Sequence, residues 1–168
     1  MTFKDIQEIV NKCRNLGCTQ RSVQYCTNLY KIYKKEGTGD RDTIINTCIV
    51  LGCKISNYII NNKDLLVNNS NIELEICKIM DFDFEMVDIY KNINLYVEKY
   101  KLTRLMTQYL WVFLNDTVYL ETYQEDEELL IKACVKLVCM VLKIEREVET
   151  DEEIERKMSE ILSIYEKK

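Results

Sequence analysis

Histidine and proline are both missing from the 168 residues, and glycine occurs only four times. Without His there is no imidazole for general acid–base work, for a Ser-His or Cys-His nucleophile pair, or for a metal site. With so little Pro and Gly, the turns of a β-sandwich have few residues to build them, and the composition reads as helices. No run of about 18 apolar residues exists to form a membrane-spanning helix. Nor is there an excess of positive charge: Lys and Arg number 23 against 28 Asp and Glu, a net charge of −5. An acidic chain with no basic stripe lacks the electrostatic footprint of a nucleic-acid or anionic-lipid binder. The opening Met1-Thr-Phe-Lys-Asp5 has no apolar stretch of signal-peptide type, so the expected compartment is intracellular. What remains, 47% hydrophobic and 30% charged, is the balance of a folded globular chain rather than a disordered tail. The length suits one domain, or two small repeats packed as one.

Eight cysteines are present, and the Cys-x4-Cys spacing recurs at 13/18, 48/53 and 134/139. That is not a zinc-knuckle spacing, and Cys-x-x-Cys does not occur. Cys48, Cys53, Cys134 and Cys139 fall inside apolar helical segments, where a free thiol behaves as a small hydrophobe. The expectation is reduced, mostly buried cysteine with no metal and no cofactor. The sequons at Asn68 and Asn115 are chance matches in an intracellular protein.

Start and stop signals divide the chain into about nine helices. Thr2 with Asp5 resembles a capping box, and Ile6, Ile9, Val10 and Cys13 make a stripe that Gly17 closes. A second helix starts near Thr19, carries Val23, Cys26, Leu29, Tyr30 and Tyr33, and is stopped by Gly37-Thr-Gly39. Asp40 caps a third with Ile45, Cys48, Ile49 and Gly52 at helical period, ending near Lys54. A short fourth is expected around 62–67 in an Asn-rich stretch. Ser70 with Glu73 opens a helix with Ile72, Ile76, Ile79 and Met80, and another carries Met86, Tyr90, Ile93, Val97 and Tyr100. Thr103 caps a segment with Met106, Tyr109, Leu110, Phe113 and Leu114. The most apolar helix of the second half bears Leu130, Ala133, Cys134, Leu137, Val138 and Val141. Thr150 with Glu153 starts the last, with Ile154, Met158, Ile161, Leu162 and Tyr165 inward. Short amphipathic helices are marginal alone and must bury these stripes on one another, so the fold class is all-α.

Thr47-Cys-Ile-Val-Leu-Gly-Cys53 and Ala133-Cys-Val-Lys-Leu-Val-Cys139 share Cys, Leu and Cys at a shift of 86 residues, about half the chain. The economical reading is a pair of tandem helical repeats, 1–84 and 85–168, each wrapped around one buried helix.

That layout resembles the cyclin fold, and particular residues carry the likeness. Ile49-Val-Leu-Gly-Cys-Lys-Ile55 is similar to the end of the third cyclin-box helix. Glu73-Leu-Glu-Ile-Cys-Lys-Ile-Met-Asp-Phe-Asp-Phe84 resembles the fifth, which in cyclins reads Glu, an apolar helix, then Phe-Asp-Leu. Trp111-Val-Phe-Leu-Asn-Asp-Thr-Val-Tyr119 is similar to the Val-Asn-Asp-Ser/Thr-Tyr stretch of transcription-type cyclins, the C, H, K and T types. The likeness spans roughly 5–145. Departures exist: Ile55-Ser-Asn57 follows Lys54 where cyclins carry acidic residues, and two expected prolines are missing. The first helix also lacks the Met-Arg-Ala-Ile-Leu-type substrate-docking motif.

The resemblance implies a regulatory subunit, not an enzyme, that binds a cyclin-dependent protein kinase and holds its αC helix in the active position. It implies a heterodimer with that kinase, a nuclear place and a link to transcription. In that family the third-helix Lys and fifth-helix Glu contact the kinase backbone beside apolar residues. Carried over, these become Lys54 and Glu73, with Ile55, Cys77 and Phe82 as apolar neighbours. Each also has a local reading. Lys54 suits a helix C-terminus, Glu73 completes a capping box, and the three apolar residues are core by type. Asp81-Phe-Asp-Phe-Glu85 opens like a calcium loop but has Met86 and Asn92 where Gly and Glu are needed. Gly37-Thr-Gly39 is a turn, Glu145 to Glu155 a solvated helix junction, and Trp111 a core residue. The alternative is a helical adaptor or a TFIIB-like factor using the same fold to bind another protein.

Overall fold

The computed structural model describes residues 2–61 and 70–168. Among these the regular elements are eight α-helices and one 3-10 turn. In order they are α1 (Thr2–Asn15), α2 (Gln20–Tyr33), α3 (Arg41–Ile55), α4 (Ser70–Ile79), α5 (Ile93–Lys99), α6 (Arg104–Asp116), the 3-10 turn Thr117–Tyr119, α7 (Glu127–Leu142) and α8 (Glu152–Lys167). The all-α expectation holds. The helix expected at 62–67 lies outside the described residues.

Two compact units divide the chain: Met1–Met86 with Glu121–Tyr123, and Val87–Leu120 with Gln124–Lys168. In the first, α2 packs along α3, while α1 and α4 lie against both. In the second, α7 packs between α6 and α8.

The sequence signals act locally as physics demands. Thr19, Asp40, Thr103 and Asp126 each accept the N–H of the residue three on, capping α2, α3, α6 and α7. At the end of α1, Gly17 sits at φ 73, and the Cys18 N–H reaches back to the Cys13 carbonyl at 2.9 Å. Four other turns close in the same way without glycine. Asn57, Asp81, Lys101 and Lys143 take φ between 49 and 58, and the next N–H bonds the carbonyl five residues back. With four glycines in the chain, helices end on side chains that must tolerate the left-handed conformation.

Several expected boundaries move. Asp5, read as half of a capping box with Thr2, bonds across its unit. Its carboxylate accepts Tyr30 Oη at 2.7 Å and Arg41 Nε at 2.6 Å, tying α1 to α2 and α3. α2 stops at Tyr33, short of Gly37. α8 is capped by Asp151 rather than Thr150, whose hydroxyl bonds the Val148 carbonyl. The helix expected from Met86 begins only at Ile93. Asp83 and Asp88 accept the N–H groups of Glu85 and Tyr90, each two residues on, and these Asx turns compete with the helix ladder. Trp111 is not core. It is 40% exposed and stacks on Tyr90 at 5.1 Å between ring centroids. Tyr109, Val141, Leu162 and Tyr165 are exposed as well.

The α2–α3 crossing needs Gly52. A Cβ there would stand 2.7 Å from the Cys26 backbone nitrogen and 2.8 Å from its Cα, atoms that cannot swing aside. Gly52→Ala is expected to cost about 2–3 kcal/mol as the helices are pushed apart. In a thermal melt that is a fall of roughly 5–10 °C. An unchanged midpoint would mean the crossing is loose.

Candidate functional site

α3 ends on Lys54 and Ile55, and α4 packs against it, so the last turn of one helix meets the first turns of the other. Lys54 and Glu73 meet there. The Lys54 ammonium donates to Glu73 Oε1 at 2.8 Å and Oε2 at 3.1 Å, with Lys54 exposed and Glu73 half-buried. The pair also fits the dipoles, an acid in the first turn of α4 and a base in the last turn of α3. The carboxylate read from sequence as half of a capping box is taken up by this ion pair.

Cys77 lies one turn along α4 from Glu73 and is half-buried, as is Ile55. Burial pushes the Cys77 thiol up, and the negative charge of Glu73 adds to it while Lys54 opposes. Phe82 stands apart from the core expectation. It is 62% exposed at φ 57, just past α4, and its N–H bonds the Cys77 carbonyl at 2.8 Å. Lys54, Glu73 and Cys77 thus share one face, Ile55 adjoins it in the chain, and Phe82 marks the far end of α4.

The sequence reading missed what lies on the other side of Lys54. A cleft of about 550 Å³ is lined by Val50, Cys53, Lys54, Asn57, Tyr58, Ile59 and Ile60. Left-handed Asn57 turns the chain, and Tyr58 Oη anchors it by donating to the Leu16 carbonyl at 2.7 Å. Ile59 is left 81% exposed. The available signal was an Ile-Ile pair inside an otherwise polar stretch, next to a helix end. Exposed Leu74 adds to the apolar character of this unit's surface.

In the second unit, the Asn-Asp-Thr run works inside the fold. Asn115 accepts Tyr90 Oη at 2.8 Å, Asp116 accepts Tyr165 Oη at 2.8 Å and Lys168 Nζ at 3.0 Å, and Thr117 donates to the Leu114 carbonyl. These bonds fix the junction of α6 with the 3-10 turn. Among the described residues no group of three or more Cys, Asp or Glu is arranged to hold a metal ion. No helix among them is long and apolar enough to cross a membrane.

Among the described residues the regular elements are all helical, in two compact units, with Lys54 and Glu73 paired at the surface of the first. No family model matches the chain, and no curated protein matches it. Solved structures do. A chain of the yeast RNA polymerase II CTD kinase CTDK-1 complex superimposes with a TM-score of 0.72 at 20% identity, over 98% of this chain and 64% of that one. A chain of the CAK complex from Chaetomium thermophilum bound to ATP-gamma-S gives 0.61 at 9% identity, over 98% and 60%. The fold is therefore cyclin-like. The chain spans about three-fifths of the length of the chains it matches.

Proposed function

We propose that the chain is a non-catalytic regulatory subunit that binds a cyclin-dependent protein kinase and holds it active. The observation that carries this reading is the exposed Lys54–Glu73 pair at the α3–α4 junction, in a fold shared with chains of two kinase complexes. Lys54 and Glu73 would hydrogen-bond the kinase backbone, fixing orientation, while Ile55, Cys77 and Phe82 supply apolar contact. A kinase active site needs its Lys–Glu ion pair, which forms only when the αC helix is correctly placed. A rigid helical partner that prefers that placement shifts the kinase population without chemistry of its own. In this reading the two repeats are 1–84 and 85–168, a division two residues from the Met86/Val87 boundary of the compact units. On the same reading the complex is a nuclear heterodimer with no direct contact to nucleic acid, and its target is the transcription machinery. The name of the yeast complex, an RNA polymerase II CTD kinase, supports only that last point.

The test is affinity purification of tagged protein beside a Lys54→Glu/Glu73→Lys variant. The double exchange keeps an ion pair but inverts its polarity against both helix dipoles, so a thermal melt is run first to verify the fold. The expected result is a kinase co-purifying with the wild type and at least a tenfold loss of affinity in the variant, about 1.4 kcal/mol. Equal recovery would remove these two residues from the interface. Absence of any kinase from both would leave a helical adaptor on the same fold.

A further inference from the structure

Four thiols of the first unit converge around the end of α1: Cys13 and Cys18 from α1 and its closing turn, Cys26 from α2 and Cys53 from α3. Cys53 Sγ lies 3.7 Å from Cys18 Sγ and 4.0 Å from Cys26 Sγ, and all are free thiols. The approach of Cys18 to Cys53 is built by the backbone. Left-handed Gly17 folds the chain back so that Cys18 sits over the end of α1, and the bond from Tyr58 Oη to the Leu16 carbonyl ties that turn to the segment following α3. Cys18 is half-buried, and Cys53, itself fully buried, is among the residues that line the cleft beside Lys54.

We propose that Cys18 and Cys53 are an oxidisable dithiol, a site at which a peroxide joins the end of α1 to the last turn of α3 through a disulfide. Sulfurs already 3.7 Å apart need a side-chain rotation and a small backbone adjustment to reach bonding distance. The sulfur that attacks first is that of Cys53. Cys26 and Cys18 can both donate S–H hydrogen bonds to its anion, which brings its pKa down to about 7 against the opposing effect of burial. Burial pushes Cys18 the other way, so it is the protonated partner.

The Cys53 thiolate attacks one peroxide oxygen. The O–O bond breaks, hydroxide leaves, and Cys53 becomes a sulfenic acid. Cys18 then gives up its proton and its sulfur attacks the Cys53 sulfur. The S–S bond forms, the S–O bond breaks, and the hydroxyl leaves with that proton as water. In sum two thiols are oxidised and one peroxide is reduced to two waters. The site does not depend on a kinase being the partner, although the bridge would sit one residue from Lys54.

The folded chain is treated with hydrogen peroxide, alkylated, and mapped by mass spectrometry without reduction. The expected first linked species is the Cys18–Cys53 peptide pair, reversed by dithiothreitol. In Cys18→Ser the link is lost and dimedone traps Cys53 as its sulfenic acid, whereas Cys48→Ser links as the wild type does. Absence of a link in the folded chain, a Cys26–Cys53 link in its place, or a first link between molecules through Cys77 would overturn the assignment. If Cys18→Ser fails to fold by circular dichroism, the wild-type map alone decides between these results.

Discussion

A Cys134→Asp chain is expected to lose the fold of its second compact unit. Cys134 sits in α7, fully buried, and burial alone pushes its thiol well above the ordinary value. Its neighbours along the helix, Leu130, Ile131, Ala133, Val135, Leu137 and Val138, are buried too, so none offers a polar group to a carboxylate. An uncompensated carboxylate there either stays charged at a cost of about 4–5 kcal/mol or takes up a proton at a comparable penalty. That equals nearly the whole stability of a marginal domain, at the low end of the usual range of about 5–15 kcal/mol. Circular dichroism and hydrogen exchange of α6, α7 and α8 would report it, beside a Cys134→Ala control expected to lose only about 1–2 kcal/mol. A soluble, fully helical, exchange-protected Cys134→Asp chain would show that α7 is not the core of that unit.

Lys31→Met is expected to move stability in the other direction. Lys31 lies in α2, is 2% exposed, and its pKa is lowered to about 7 by burial and, to a smaller extent, by the charge of Lys34. The unfolded chain holds that proton up to about pH 10.5 while the folded chain releases it near 7. Between those values the unfolded state binds more protons, so stability rises with pH, and below about 7 the full penalty remains. Methionine fills similar space with no charge to bury. At pH 7 the substitution is expected to stabilise by about 2–4 kcal/mol, raising the melting temperature by roughly 5–10 °C. Urea denaturation of both chains at pH 7 and pH 9.5 separates this effect from other groups, because the advantage of the variant must shrink at the higher pH. A variant that melts lower at pH 7 would mean that the ammonium is satisfied in the folded chain.

Lys31 also marks where the sequence misleads. The stripe Val23, Cys26, Leu29, Tyr30 and Tyr33 describes one face of α2, yet Ser22, Gln24, Thr27, Asn28 and Lys31 are buried as well. Polar residues signal solvent in a sequence, and here several are paired inside. Ser22 Oγ meets Thr19 Oγ1 at 2.9 Å and Ser56 Oγ at 2.8 Å, and Thr27 donates to the Gln24 carbonyl. The Ser22–Ser56 pairing joins residues 34 positions apart and leaves no local pattern. Caps are local, so Asp40 and Thr103 were legible as caps and Thr19 as a helix start. Tyr90 and Trp111 read as helix-face residues, but their burial depends on what each helix packs against, and they stack at the surface. At the candidate site, Lys54 and Glu73 were nameable only through resemblance to a family. That they pair is a fact of the α3–α4 packing, as is the exposure of Phe82.

The left-handed helix ends carry a consequence for how this chain can change over generations. Asn57, Asp81, Lys101 and Lys143 each hold a conformation that glycine adopts freely, so each is a position where a single replacement removes strain without touching the core. A protein that has not used these replacements keeps a reserve it can draw on. Substitutions elsewhere that improve a surface at the expense of the fold can be offset at four separate turns, and only that at Asn57 lies against the Lys54 cleft. The scarcity of glycine is therefore also a store of tolerance for further mutation.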